Sequence, residues 1–393
     1  MSNAPTVDLS GIDAEGFLAE LLELRREVDA SQGAEDLAHL RKIERWGHTA
    51  TAVGLATAWL GPNPVSVFGL AIGRSTRWLL MHHCGHRGYD KVPGVPARYT
   101  SKVFAHGWRR FIDWPDWMLP EAWIYEHNVL HHTHTGEEAD PDLIERNTED
   151  LRELPVAARY ALMTILSLTW RTSYYAPKTL RALLDRDARL ARGRAGDTEA
   201  ERPDDRGHLR DLWWRCYLPA AGVHFVLTPL LFAPLGPLAA ASAFTNSLVA
   251  DLVTNVHTFI VVGPNHTGED IPRFDERPAS KAERMVRQVA GSVNYHTGTE
   301  LLDFAQLWLN YQIEHHVFPD ISMLAYRRVQ PKVKALCAKY GVPYVQEGVF
   351  TRFRKMLAVA VGDRVMPRGK TTRAASARSA AGPLEADLEP APC

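Results

Sequence analysis

Three short stretches set histidines about one helical turn apart, and any fold of this chain must either bring them together or leave three unexplained clusters. They are His82-His83-Cys84-Gly85-His86, His127-Asn128-Val129-Leu130-His131-His132 and Gln312-Ile313-Glu314-His315-His316. On a helix, residues i and i+4 project from one face. His82 pairs in this way with His86, and His127 with His131, while His132 turns toward a second position. In the third stretch Gln312 precedes the two histidines by three and four residues, and Glu314 lies off that face. A coincidental His-rich loop accounts for one such stretch but strains to account for three. Imidazole suits iron, zinc, copper and nickel, and three clusters exceed the needs of a single ion. The Glu-x-x-His pattern of carboxylate-bridged diiron bundles is absent, so a nitrogen-rich dinuclear site is the economical reading.

Each cluster adjoins apolar sequence. Residues 48–81 contain two apolar runs broken by Gly61-Pro62-Asn63-Pro64, a strong turn signal. A crossing takes about 20 residues, so this hairpin requires helices that start near Glu44 and run to about Met81. Residues 217–263 form a second pair of spans, with Pro234, Gly236 and Pro237 at the turn. Residues 156–176 are apolar but interrupted by Arg159 and Arg171. A crossing there would export the arginine-rich segment from Lys178 to Arg215 against the positive-inside tendency, so this stretch is read as an interfacial helix. Two hairpins then leave every histidine cluster and both termini on the cytoplasmic side. Ahead of them, Phe17, Leu21, Leu22, Leu24 and Val28 predict an amphipathic helix within residues 11–47. Residues 1–10 and the Ala/Arg/Ser/Pro-rich end carry no pattern and are expected to be disordered. The implied organisation is an N-terminal segment (1–47), an all-α membrane domain of about four spans under a helical cap (48–363) and a tail (364–393).

Composition narrows the function classes. A formal net charge of −1 offers no basic field for nucleic acid. The four cysteines form no C-x-x-C pair, so no disulfide framework is indicated and the parts outside the membrane are expected to face a reducing compartment. No cleavable signal pattern opens the chain.

In order and approximate spacing, HHCGH at 82–86, HNVLHH at 127–132 and QIEHH at 312–316 resemble the three histidine boxes of the membrane fatty acid desaturase and hydroxylase family. The run NYQIEHHVFPDIS at 310–322 is similar to the subgroup with glutamine at the head of the third box. The resemblance covers roughly residues 45–345. It implies two irons at the cytoplasmic ends of four spans, an acyl tunnel ending beside them, dioxygen as co-substrate and a fatty acyl substrate drawn from membrane lipid, CoA or carrier protein. Carried over by position, the metal ligands are His82, His86, His127, His131, His132, His315 and His316, with Gln312 in or near the coordination sphere. The family supplies a further histidine after the last span. His266 fits best, and His257, near Asp251 and Asn255, is the competitor. His83 stands where many relatives carry Asp and is a possible outer contact. No His-Pro-Gly-Gly haem motif is present, so electrons are expected from a separate ferredoxin or cytochrome b5 system.

Trp108, Trp114, Trp117, Trp123 and Trp308 suit either an acyl tunnel or an interfacial aromatic belt. Asp140 and Asp142 are read as turn formers with a lesser role behind the second box, and His296 as a minor outer contact of the third. His39, His48, His106, His208 and His224 are read as ordinary packing or surface residues. Hydroxylation, or another oxidation by the same diiron chemistry, is the alternative within the enzyme class. A non-catalytic His-rich metal carrier is the alternative outside it. A carrier would set its ligands along the bilayer midplane, whereas these stretches gather at the polar ends of spans.

Overall fold

The structure, a computed structural model, describes residues 5–191, 193 and 205–371. Helix α1 (Ala14–Ser31) buries Phe17, Leu21, Leu24 and Val28 against the body of the protein and leaves Leu22 exposed. Each buried large side chain contributes about 1.5–3 kcal/mol. The chain then turns into α2 (Ala34–Thr57) and α3 (Pro64–Gly85). Because α2 begins at Ala34, the amphipathic segment is two helices, and residue 47 lies inside the first arm of the hairpin. The arms are joined by a loop that Asn63 closes by accepting a bond from the Ser66 N–H, with Pro64 at the first helical position.

Glycines bring α2 and α3 unusually close. A Cβ on Gly69 would stand 2.6 Å from the Ala50 carbonyl oxygen, and one on Gly54 would stand 2.8 Å from the Leu70 nitrogen. Small residues that let backbones touch are the packing mode of helix pairs in lipid. Two further segments, Arg206–Leu235 and Pro237–His266, are long and apolar enough to cross a membrane by length and composition. Among the described residues only these two reach that measure. The arm α2 opens with the charged run from Glu35 to Arg45, and α3 carries Arg74, Arg77 and two histidines.

After the first hairpin, the segments Pro120–Trp123, Ile124–His131 and His132–His134 run on as one rod, α4. The apolar stretch at 156–176 forms α5 (Val156–Trp170), which passes through a wide turn at Arg171–Tyr175 into α6 (Ala176–Ala191). Helix α7 (Asp205–Asp211) leads, through further wide turns, up one arm of the second hairpin, and α8 (Pro237–Val262) returns. The cap comprises α9 (Lys281–Ala290), α10 (Gln312–Val317), α11 (Met323–Tyr340) and α12 (Val349–Ala360).

Two short parallel strand pairs interrupt the helical pattern. β1 (Thr6–Asp8) pairs with β4 (Arg368–Lys370), and β2 (Val293–Tyr295) with β3 (Val345–Glu347). Residues 6–8 and 368–370 are therefore ordered, contrary to the expectation for both ends. The rest of the expected tail, from 372 onward, lies outside the described residues.

The polar residues inside the second hairpin tie helices together. Arg171 is buried and donates to Asp116 at 2.6 Å and to Asp251 at 2.7 Å. Arg74 donates to the Ser247 carbonyl at 2.8 Å. Asp251 and Asn255 thus face inward, both bonded to Arg171. Paired in this way, the charges avoid the cost of isolated ions in an apolar surround.

Candidate metal centre

The three histidine stretches meet on one side of the cap. His82 and His86 end α3, with the His86 N–H bonded to the His82 carbonyl at 3.1 Å. Their ring centroids are 5.0 Å apart. In the second stretch the winding opens to i→i+5, and the His132 N–H bonds to the His127 carbonyl. An ordinary α-helix would swing His132 well off the face shared by His127 and His131. The wider turn brings all three toward the same centre. The third stretch is delivered by a tight turn in which Leu307 and Trp308 both adopt positive φ, 56° and 57°. Such conformations cost about 1–3 kcal/mol each. Asp303 supports the turn by accepting from Asn310 at 2.6 Å and from the Tyr311 hydroxyl at 3.0 Å.

Two sets of ring nitrogens result. Those of His82, His86, His127 and His315 lie within 4.8 Å of one another, as do those of His131, His266 and His316. His132 stands between the sets, its ring 4.6 Å from His86, 4.8 Å from His315 and 4.2 Å from His316. His127, His131 and Asp142 form a third, overlapping group.

Hydrogen bonds behind the rings fix which nitrogen points inward. The Nδ1 of His131 meets Asp140 at 2.9 Å, that of His266 meets the Gly291 carbonyl at 2.9 Å, and that of His316 meets the Gln288 side-chain oxygen at 2.7 Å. The Tyr326 hydroxyl lies 3.0 Å from the Phe318 and Pro319 carbonyls, to which it donates, and so accepts from His315 Nδ1 at 3.1 Å. Each of these four rings therefore carries its proton outward and presents Nε2 as a lone pair. Gln288 also donates to the His132 carbonyl at 2.8 Å, bracing the second and third stretches together.

The centre is built for cations. His82 Nδ1, His86 Nε2, both nitrogens of His127, His132 Nε2, His316 Nε2 and Gln312 Oε1 are buried with no hydrogen-bond partner. The His82 and His315 Nε2 atoms face each other at 3.1 Å. Leaving so many polar atoms unmet costs about 1–3 kcal/mol each, a debt that bound metal ions remove. Burial, reinforced by neighbouring rings, pushes the pKa values of His127, His132, His315 and His316 well below the usual imidazole range, so these rings are neutral and ready to ligate. At His131 burial acts in the same direction, but the charge and hydrogen bond of Asp140 outweigh it, and the net shift is upward. Glu314 is buried off the centre, bonded to Asn294 at 2.8 Å and Tyr344 at 2.9 Å, and burial raises it to about 7.

Two sequence candidates fall elsewhere. His257 has both nitrogens engaged, with Ser75 at 3.0 Å and the Ala305 carbonyl at 2.7 Å, and joins neither set. His83 is buried beside Tyr326 and belongs to no converging group among the described residues. Gln312 reaches the centre, its amide nitrogen 2.9 Å from His266 Nε2. His296 is exposed, away from the cluster. Sequence reasoning missed Gln288 and Tyr326. Neither sits in a histidine stretch, and nothing local marks either one.

A cavity of about 420 Å³ ends on this centre, where His82, His127, His131, His266 and Gln312 form its wall. The rest of its lining is mostly apolar: Trp78, Met163, Leu166, Trp170, Phe259 and Met356 among others. None of the five tryptophans singled out from the sequence lines it. Trp114, Trp117, Trp123 and Trp308 are buried in packing, and Trp108 is exposed.

Comparison with known proteins agrees with this architecture. The profile of the fatty acid desaturase family matches residues 57–348. The chain is 23% identical over 367 residues to an NADPH-dependent stearoyl-CoA 9-desaturase of Mycobacterium tuberculosis, covering 88% of this chain and 79% of the relative. It is 23% identical over 347 residues to an sn-1 linoleoyl-lipid 6-desaturase of Arthrospira platensis, covering 84% and 88%. An acyl-lipid (8-3)-desaturase of Mortierella alpina matches over 232 residues at 24% identity, covering 58% of this chain and 50% of the relative.

Proposed function

The chain belongs to the fatty acid desaturase family of oxidoreductases, and on that premise we propose that it introduces a double bond into a fatty acyl chain at a centre of two irons. One observation carries the reading: a mostly apolar cavity ends against a wall formed by His82, His127, His131, His266 and Gln312, in which His82 Nδ1, both nitrogens of His127 and Gln312 Oε1 are buried without a hydrogen-bond partner. His82, His86, His127 and His315 are assigned to one ion, and His131, His266 and His316 to the other. His132 lies between them, and Gln312 is an outer or weak ligand. When bound, two irons with dioxygen and two external electrons supply the oxidising power that an unactivated methylene requires. The electrons come from a separate ferredoxin or cytochrome b5 system.

The protein's own groups do the positioning. Asp140, Gln288, Tyr326 and the Gly291 carbonyl hold four rings in one tautomer, with Nε2 toward the centre. Trp78, Trp170 and Phe259 keep the channel dry and hold a methylene run against the ring nitrogens. Hydrogen removal from two neighbouring carbons then requires only that both lie on the exposed wall formed by His82, His127, His131 and His266.

The test is composition followed by product. Purified protein is expected to hold about two irons per chain; one zinc, or none, would exclude the assignment. Lipid mass spectrometry of an expressing host is expected to show loss of two hydrogens from an acyl chain. Gain of an oxygen instead would make the enzyme a hydroxylase.

We further place α2 and α3 in the membrane as the first of two hairpins, on the strength of their glycine-mediated packing. The histidine stretches and the termini are placed on the cytoplasmic side. A cysteine introduced by Arg186→Cys is expected to label from the cytoplasm, and labelling from the opposite face would refute this topology.

A further inference from the structure

Trp114, Trp117 and Trp123 line no part of the cavity, yet they sit in a row that starts on the metal centre. The Trp123 ring stacks on His127 at 4.6 Å and 21°, and lies 5.5 Å from His82 and 6.0 Å from His86. It therefore touches three of the four rings assigned to one ion. The rings of His131, His266 and His316 meet other histidines but no tryptophan among the described residues. From Trp123 the row runs to Trp114 at 6.2 Å, a spacing at which aromatic rings are in contact. Trp117 is three residues further on, so its Cα is at most about 11 Å from that of Trp114. Trp117 packs against Tyr217 at 6.0 Å, and Tyr217 against Trp213 at 5.5 Å. Trp213 is 51% exposed, between Arg210 and Arg215 at the polar start of the Arg206–Leu235 segment.

Leucine or phenylalanine would fill this space as well; what indole adds is that it gives up an electron far more readily than either. That property matters beside a centre whose bound group must be a strong enough oxidant to attack a methylene. With no acyl chain in place, the groups nearest such an oxidant are the ligand rings themselves. Hydrogen bonds along the row give it a direction. Trp114 donates to the Met118 carbonyl at 2.8 Å, which is no base, so this ring passes charge on without losing its proton. Trp117 donates instead to the Asp251 carboxylate at 3.2 Å, which can take the proton when the ring is oxidised and return it when the ring is reduced. Charge that reaches Trp117 is thereby held from running back toward the metals.

We infer that Trp123, Trp114, Trp117 and Trp213 form a relay that drains an unused oxidising equivalent from the four-ring side of the centre to the surface, where a small water-soluble thiol makes good the loss. This rests on the two-iron reading. Each pass moves one electron inward. Trp123 is oxidised and refilled by Trp114, Trp114 by Trp117, Trp117 by Trp213 across the Tyr217 ring, and Trp213 by the thiol. Two passes join two thiols as a disulfide and release two protons. Two electrons and two protons are consumed at the centre, where the unused oxygen atom leaves as water.

The test needs no acyl turnover. Iron-loaded protein free of acyl substrate is challenged with hydrogen peroxide, which delivers the oxidising equivalent without an electron donor. Radicals are trapped by rapid freezing for electron paramagnetic resonance, oxygen gained by each residue is mapped by peptide mass spectrometry, and iron is measured on the same sample. A tryptophan radical is expected, with oxygen gained at Trp117 and Trp213, and severalfold less of it when glutathione is present and turns to its disulfide. Trp114→Phe, and independently Trp117→Phe, keep apolar bulk but break the row. Both are expected to move oxidation inward to Trp123, His127 or His82 and to speed iron loss severalfold, with desaturation of supplied acyl substrate unchanged in the first turnovers. Trp308→Phe is the control: Trp308 is as deeply buried, but its ring neighbour is His39, and neither readout is expected to change. The same oxidation pattern in iron-free protein, a pattern indifferent to both breaks, or one disturbed equally by Trp308→Phe overturns the inference. A purified protein that holds no iron overturns the metal reading and the relay with it, whereas an iron-loaded protein whose ligand histidines oxidise first overturns the relay alone.

Discussion

The two halves of the histidine centre are held differently. In the set formed by His131, His266 and His316, every ring is tied from behind: to a carboxylate, to a main-chain carbonyl and to the Gln288 amide. In the set formed by His82, His86, His127 and His315, only His315 has such a tie, to Tyr326, while His82 Nδ1 and both nitrogens of His127 are bare. The first set is organised before any ion arrives. The second relies on the rigidity of α3 and of the widened turn in α4, and on the ions themselves. Outer hydrogen bonds of the first kind commonly set metal affinity, so the two sites should differ in how firmly they hold iron and in what loosens them.

The most severe way to break the contrast is to remove a ring that touches both halves. His315 contributes to the four-ring set and packs 4.8 Å from His132, the residue between the sets. His315→Ala is expected to abolish product and to lower iron from about two per chain to about one or fewer, with membrane insertion intact. Retained turnover would show that the centre lies elsewhere. A more selective blow falls on Gln288, which touches no ion but braces His316 and the His132 main chain at once. Gln288→Leu is expected to weaken the three-ring site by about 10–100-fold, the usual range for lost outer contacts. Iron titration would then show one firm and one loose site. Gln288→Glu keeps an acceptor for His316 and should recover most of the loss. Two equally loose sites in Gln288→Leu would mean that the halves are not separately organised.

Much of this arrangement is readable from residue spacing, and the unread part has a common cause. The i, i+4 pairs at His82/His86 and His127/His131 follow from helical geometry, and His266 was preferred over His257 on its place after the last span. What spacing cannot reveal is a change of winding. The i→i+5 turn that swings His132 inward is set by tertiary packing, because Ile124 to His131 is unremarkable as a helical sequence. Partners supplied from distant elements are equally hidden. Gln288 on α9 and Tyr326 on α11 look like ordinary helix residues until the cap folds over the rings. Asp140 reads from the sequence first as a turn former and only second as a contact behind the second stretch, because its bond to His131 depends on where the loop returns. In the first hairpin, the turn at Gly61 to Pro64 was plain, but the start of α2 at Ala34 was not, since its opening turns are charged and read as amphipathic surface. The tryptophans misled because bulk and apolarity suit a tunnel wall and a packed core equally well.

The mildest probe of the contrast is the single tie in the looser half. Tyr326 accepts from His315 Nδ1 and is anchored by the Phe318 and Pro319 carbonyls. Tyr326→Phe removes the hydroxyl and leaves the ring, so the packing against His83 survives. Losing one neutral hydrogen bond of this kind costs about 1 kcal/mol, or roughly fivefold in affinity if it all falls on the metal. If the four-ring site is held mainly by helix rigidity, iron should leave Tyr326→Phe only a few times faster in a chelator challenge. The product should be unchanged, and the effect should stay clearly below that of Gln288→Leu on the other site. Should Tyr326→Phe shed its iron as readily as Gln288→Leu, the four-ring half also depends on its outer tie, and the difference between the halves is one of number rather than kind.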